Sequence, residues 1–412
     1  PVMQSLSWAV LIFPSMSVIR GFFQGHNNLK PYAISQIAEQ VIRVIWMLLT
    51  AYFIMKVGSG DYVEAVTQST FAAFIGMGAS LLVLVYYLWK TGLLQHIIHR
   101  PESDNEIDTK ALLWDTIREA IPFIVTGSAI QLFQIIDQMT YSNVMSWITN
   151  FSRSELLVQF SYFSANPNKI TMILIAVATS IGGVGIPLLT ENYVKGDFRA
   201  AGKLVQDNLT MLVAFLLPAT IGAVAIAEPL YTVFYGKPDS LALGLFILAM
   251  LQTIILGLYT VLSPMIQALF QNRKAILYFG YGVLVKLILQ VPFIYFFKAY
   301  GPLLSTTIGL MIPIVLMYKE IHVVTKFNRK TVFKRSLLTA ILTFIMLLVV
   351  LLSALILGFV FKPNGRVTSM IYVAVIGGVG IIVYGGLGLR LRFLDRFIGS
   401  KAASLRNKFH IS

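Results

Sequence analysis

An acid and a base stand one helical turn apart at Glu39 and Arg43, inside a stretch that is otherwise apolar, and Tyr32, Ser35, Gln36 and Gln40 recur on the same helical face. A carboxylate four residues before a guanidinium can pair with it directly. In a membrane span each charged side chain costs about 2.5–3.5 kcal/mol, so such residues turn toward a bundle interior or an aqueous cavity. Two readings of the stripe stand side by side: a neutral bridge within one lobe, or the lining of a substrate cavity. A second intramembrane cation, Lys286, has Gly282, Val283, Leu289 and Gln290 at the neighbouring helical positions, so its own helix supplies no acid. It must snorkel to an interface, face a cavity or meet an anion from elsewhere. A third polar stripe carries Gln131, Gln134, Asp137, Gln138 and Tyr141. A carboxylate placed like Asp137 is open to protonation, to pairing with Lys286 or another cation, or to binding a coupling ion such as H+ or Na+.

Backbone chemistry marks one more segment, Thr179 to Pro187, where Gly182, Gly183, Gly185 and Pro187 weaken a helix. They are hinge candidates, and equally candidates for close helix packing through small residues. A related run, Ile376 to Ile381, favours the packing reading. Signals for enzymatic chemistry are poor: there is no phosphate-binding glycine-lysine loop, paired-histidine metal motif or nucleophile elbow. His26, His96, His99, His322 and His410 all fall in expected loops or tails. With no cysteine in the chain, thiol catalysis and disulfides are excluded. No metal site and no cofactor is expected, and the chain reads as a non-enzyme.

The elements that must position these residues are membrane helices. Hydrophobic residues make up 57% of the 412, charged residues 12%, and mean hydropathy is +0.77, far from the roughly 25% charged typical of a soluble domain. Long continuous apolar runs select an all-α polytopic bundle. Eleven spans are expected, at about 3–19, 31–55, 63–89, 119–142, 170–190, 204–227, 240–268, 275–297, 300–318, 336–360 and 368–389. Of the 32 basic residues, 23 fall in one set of alternating loops and seven in the other. That split places the carboxyl terminus in the cytoplasm and makes the chain a multi-pass protein of the cell membrane. The net charge of +14 therefore reports orientation, not a nucleic-acid partner.

An acidic, proline-containing stretch, Pro101 to Asp108, leads into an expected interfacial helix near residues 109–119 and divides the chain. The expected organisation is an N-lobe of three helices over 1–90, a cytoplasmic linker over 91–118, and a C-lobe of six helices over 119–323. Two additional helices over 324–390 and a basic amphipathic tail over 391–412 complete it. The turn Arg20-Gly-Phe-Phe-Gln24 returns as Gln267-Ala-Leu-Phe-Gln271, the mark of two related lobes. By that symmetry three more helices are expected ahead of Pro1, for fourteen in a whole protein.

The run from Arg20 through Arg43 resembles the signature turn of the polysaccharide-type flippases in the multidrug/oligosaccharidyl-lipid/polysaccharide exporter superfamily, nearest to its MurJ-like and stage V sporulation protein B-like lipid II flippases. Ile186 to Phe198 resembles the end of the second helix of the second lobe in the same group. The resemblance implies a two-lobed, MATE-like fold that moves an undecaprenyl-pyrophosphate-linked cell-wall precursor between leaflets by alternating access, in the bacterial cytoplasmic membrane. It also implies a lipid-tail groove on the last two helices. Its cationic cavity residues lie largely in helices that this sequence does not contain, which leaves Arg43 and Lys286, with Glu39, Gln36, Gln40, Gln134 and Asp137, as the cavity candidates here. The expected partners are a lipid-linked oligosaccharide, membrane lipids and wall-synthesis proteins. Rival readings are a capsule or teichoic-type flippase, a multidrug exporter, and a non-transporting scaffold for wall-synthesis enzymes.

Overall fold

The computed structural model of the chain describes residues 2–26, 28–93, 108–361, 363, 365–393 and 395. Residues 94–107 of the expected linker, the basic tail beyond residue 395, and His96, His99 and His410 lie outside the described residues. Among the described residues every regular element is helical. Nine helical segments are long and apolar enough to cross a membrane, or ten if one bent pair is taken as a span. The eighth and ninth spans expected from hydropathy both fall within one of the nine, Asn272–Thr325.

The chain divides into two compact units, Pro1–Asp108 and Thr109–Ser412. The first contains α1 (Val2–Gly25), α2 (Leu29–Tyr52), continued by a π-helical turn at Phe53–Val57, and α3 (Tyr62–Lys90). Asp61 caps α3 by accepting from the Val63 amide at 2.8 Å, which satisfies one of the free N–H groups of the first turn. The third helix packs on both others. Its Met77, Leu84 and Leu88 close over Met16, Ile19 and Phe23 of α1. Against α2 the contact is made at Gly76, where a Cβ would lie 2.7 Å from the Glu39 carbonyl and 3.0 Å from Arg43 Cβ.

The second unit holds α4 (Thr109–Gly127), α5 (Ala129–Ile148), α6 (Arg153–Phe163), α7 (Ala165–Val194), α8 (Phe198–Ala225), α9 (Ala227–Tyr235) and α10 (Ser240–Ala268). Then come α11 (Asn272–Phe297), α12 (Gly301–Thr325), α13 (Arg329–Val360) and α14 (Arg366–Arg390). Asp197, Asp239 and Asn328 cap α8, α10 and α13, and a capping box of Ser152 with Glu155 opens α6. Sequence placed a short interfacial helix near 109–119 before an unbroken span. Instead α4 runs on to Gly127 and meets α5 at 54°. Gly127 and Ser128 are weak helix formers there, and Pro122 removes one N–H from the ladder of the preceding turn. The main core joins α5, α7, α8 and α10–α12 through side chains such as Phe133, Leu209, Leu216, Tyr259, Phe279 and Leu310.

A pair of glycine substitutions tests the crossing in the first unit. Gly76→Ala is expected to cost about 1–3 kcal/mol, because backbone must move to admit the methyl group. Gly78→Ala, with open space around it, is expected to be neutral or slightly stabilising. Equilibrium unfolding in detergent measures both.

Candidate intramembrane charge sites

Sequence allowed Glu39 to pair with Arg43, but in the first unit the carboxylate turns to another partner. Arg20, near the end of α1, donates from Nη2 to Glu39 Oε2 at 2.8 Å and to Ser80 Oγ of α3 at 2.8 Å, and from Nε to Ser35 Oγ at 3.1 Å. Its guanidinium also lies 5.7 Å from the Tyr32 ring centroid. One planar fork thus ties three helices, a task that an arginine on α2 itself is not placed to do. Arg43 is left with a neutral partner, donating to the carboxamide oxygen of Gln40. Gln36 and Gln40 are exposed and Arg43 half-buried, so these three form an open polar face on α2.

In the second unit α5, α11 and α12 converge on a closed cluster. Lys286 Nζ donates to Asp137 Oδ1 at 2.7 Å and to Thr306 Oγ1 at 2.5 Å, with Ser305 Oγ at 3.5 Å. Gln290 donates to Asp137 Oδ1 and to Thr140 Oγ1, both at 2.9 Å, and accepts from Ser305 Oγ at 2.6 Å. The ammonium lies 5.3 Å from the Phe133 ring centroid. The Lys286 side chain is 0% exposed and that of Asp137 12%, so of the alternatives open to Lys286 the structure realises the buried ion pair. A small cavity of about 60 Å³, lined by Gln134, Asn168, Thr171 and Gln252 among others, reaches Asp137. Its volume exceeds the ~10–15 Å³ that one water requires.

Sequence reasoning named both carboxylates and both cations and offered Lys286 as one partner for Asp137, but it did not offer Arg20 as the partner of Glu39. Arg20 was assigned to a loop because hydropathy ended its span too early. Ser305, Thr306 and Ser80 are small hydroxyl residues whose role appears only once helices are packed. Of the hinge candidates, Gly182 and Gly185 are contact points: a Cβ would lie 3.0 Å from Val261 and 2.1 Å from Asn208 Nδ2, respectively. Gly183 faces open space, and α7 continues through Pro187.

A separate apolar chamber of about 740 Å³ lies within the second unit between α7–α9 and α13–α14, with Leu174, Phe215, Pro218, Met346, Ile376 and Tyr384 in its walls. It borders the two helices to which the resemblance assigned a lipid-tail groove.

The buried pair makes a graded prediction. Lys286→Met leaves a desolvated carboxylate and is expected to cost about 3–5 kcal/mol, whereas Lys286→Met with Asp137→Asn removes both charges and recovers most of that loss. Thermal unfolding of the purified variants in detergent measures the difference.

Comparison with known proteins places this geometry in a family. The profile of the family described as "Polysaccharide biosynthesis protein" matches residues 2–193. "Lipid II flippase MurJ" of Bacillus subtilis (strain 168) is 30% identical over 406 residues, covering 97% of this chain and 74% of that protein. "Probable lipid II flippase MurJ" of Rickettsia prowazekii (strain Madrid E) is 23% identical over 229 residues, 55% of this chain and 39% of that one. A solved structure, "Lipid II flippase MurJ, inward closed conformation", matches with a TM-score of 0.59 at 18% identity, over 95% of this chain and 72% of its own, which shows the fold. The 30% identity to the Bacillus protein over 97% of this chain and 74% of that one shows that the chain belongs to the MurJ-like family of polysaccharide-type flippases.

Proposed function

We propose that this protein carries a prenyl-diphosphate-linked cell-wall precursor of the lipid II type across the cytoplasmic membrane by alternating access. The match over 97% of this chain and 74% of a lipid II flippase carries the reading. Two structural features support it. The apolar chamber beside α13 and α14 has the volume and wall chemistry for several units of a prenyl chain. The open stripe of Gln36, Gln40 and Arg43 offers polar and cationic groups at membrane depth, where a diphosphate-sugar headgroup would have to travel.

Under this reading the prenyl tail stays in an apolar setting while only the headgroup crosses. The carboxyl terminus lies in the cytoplasm, as the distribution of Lys and Arg supports. Bending of α7 around Gly183 and Pro187 would serve the change of access, and a monovalent coupling ion and wall-synthesis proteins are partners in the same proposal.

The full-length protein reconstituted in vesicles with fluorescent lipid II tests it. Protein-dependent movement of the headgroup between leaflets, read by a membrane-impermeant quencher, is the expected result. Movement no faster than in protein-free vesicles, together with efflux of cationic drugs from cells expressing the protein, would replace this reading with the exporter one.

A further inference from the structure

The two units repeat one helix crossing in atomic detail. In the first, Gly76 of α3 sits against α2 so closely that a Cβ would meet the Glu39 carbonyl and Arg43 Cβ at 2.7 and 3.0 Å. In the second, a Cβ on Gly309 of α12 would meet the Gly282 carbonyl and Lys286 Cβ of α11 at 3.0 and 3.1 Å. Both helix pairs are antiparallel: Arg20 bridges Ser35 to Ser80 in one, and Tyr278 bonds Glu320 in the other. The paired helices also open at matching N-caps, Asn28 and Gln271, equally far ahead of the two cations. Arg43 and Lys286 are therefore equivalent positions of the repeat.

Their surroundings are opposite. Lys286 is enclosed by Asp137, Ser305, Thr306 and Gln290. Ser305 and Thr306 stand four and three residues before Gly309, and the residues standing so before Gly76 are Ala72 and Ala73. Gln290 stands four residues after Lys286, and Met47 four after Arg43. The oxygen atoms that hold the lysine are thus replaced by methyl groups and a thioether around the arginine. In the first unit the ion pair has moved one turn toward the start of α2, to Glu39, where Arg20 satisfies it. Among the described residues Arg43 has no acidic partner, and its hydrogen bond to Gln40 leaves most of its five donors free.

We infer that Arg43, with the carboxamides of Gln36 and Gln40, is an anion-binding site for a phosphate or diphosphate ester, and that Lys286 is a positioning residue that pins α5 to the α11–α12 pair and binds no ligand. The inference deepens the flippase reading and rests on it for the source of the anion. A guanidinium suits this ligand because its fork donates to two phosphate oxygens at once. The two glutamine side chains add N–H donors one and two turns away on the same face, more than one opposing carboxylate would use. A carboxylate on another membrane helix is the competing occupant.

Equilibrium binding of radiolabelled farnesyl diphosphate to the full-length protein in phosphatidylcholine nanodiscs decides between them. Arg43→Gln is expected to weaken binding at least tenfold and Arg43→Lys less than Arg43→Gln. Lys274→Gln, which breaks only an exposed pair with Glu320, is expected to leave binding unchanged, and Lys286→Met with Asp137→Asn to alter it less than threefold. Displacement by inorganic pyrophosphate supports the site and shows that the diphosphate alone suffices; displacement by farnesyl monophosphate but not pyrophosphate supports it and assigns a lipid-linked ester. The inference is overturned if Arg43→Gln binds like the parent protein, or if its loss is a fall in melting temperature as large as that of Lys286→Met with no change in affinity, the mark of a structural carboxylate partner. Binding that needs Arg43 in a protein that moves no lipid II would uphold the site and remove the transport reading. Transport by an Arg43→Gln protein of unchanged affinity would do the reverse.

Discussion

A charge inside an apolar helical bundle must find its counter-charge and its hydrogen bonds within the protein, and the second unit is organised by how it meets that demand at Lys286. The ammonium, carried on α11, is fully enclosed, and α5 and α12 supply its oxygen partners, so three helices meet at one charge. Each of those helices is thereby fixed in rotation and depth, since a shift of one turn would withdraw an acceptor from a group that water cannot reach. A glycine makes the arrangement sterically feasible. Gly309 lets α12 approach α11 until its flanking Ser305 and Thr306 reach the ammonium. The same close crossing at Gly76 brings α3 onto α2 in the first unit, where the burden of neutralisation falls on Arg20 and Glu39.

The contrast between the units links packing to function. A buried ion pair adds little net stability compared with an apolar replacement, but it is costly to break singly. Such a pair suits a helix that must keep its register. A cation without that enclosure contributes little to the fold and remains available to an anion that enters from outside. The repeat thus provides two positions of common geometry, and the flanking residues, Ser305 and Thr306 against Ala72 and Ala73, decide which one is closed. The apolar chamber along α13 and α14 belongs to neither polar cluster. Its separation suits a substrate whose tail and headgroup differ sharply in polarity.

Much of this was legible in the sequence. Composition and long apolar runs established a helical membrane protein, the echo between Arg20–Gln24 and Gln267–Gln271 pointed to related halves, and the run through Arg43 pointed to the family. The residues Asp137, Lys286, Glu39 and Arg43 stood out because charges are rare within such spans. Pairing of Asp137 with Lys286 was one open alternative, but Arg20 and the hydroxyls of Ser305 and Thr306 did not stand out as partners, because helical periodicity reports neighbours within one helix and is silent on what another helix brings. Glu39 and Arg43 were adjacent by that rule, yet the acid belongs to Arg20, which reaches it from the end of α1. The bend at Ser128 was hidden for a related reason: hydropathy runs smoothly across Gly127 and Ser128, while the backbone does not. Glycines were visible, but only helix packing separates Gly182 and Gly185, where a Cβ would run into Val261 and Asn208, from Gly183, where a Cβ would meet open space.

The absence of cysteine from the whole sequence makes the central contrast directly measurable. Single cysteines introduced by Arg43→Cys, and by Lys286→Cys in the Asp137→Asn background, can be labelled in intact vesicles with a membrane-impermeant anionic thiosulfonate without interference. Rapid labelling at position 43 and protection at position 286 is the predicted result. Labelling of position 286 as fast as position 43, in a protein that retains its fold, would show that both cations face water and would contradict the account.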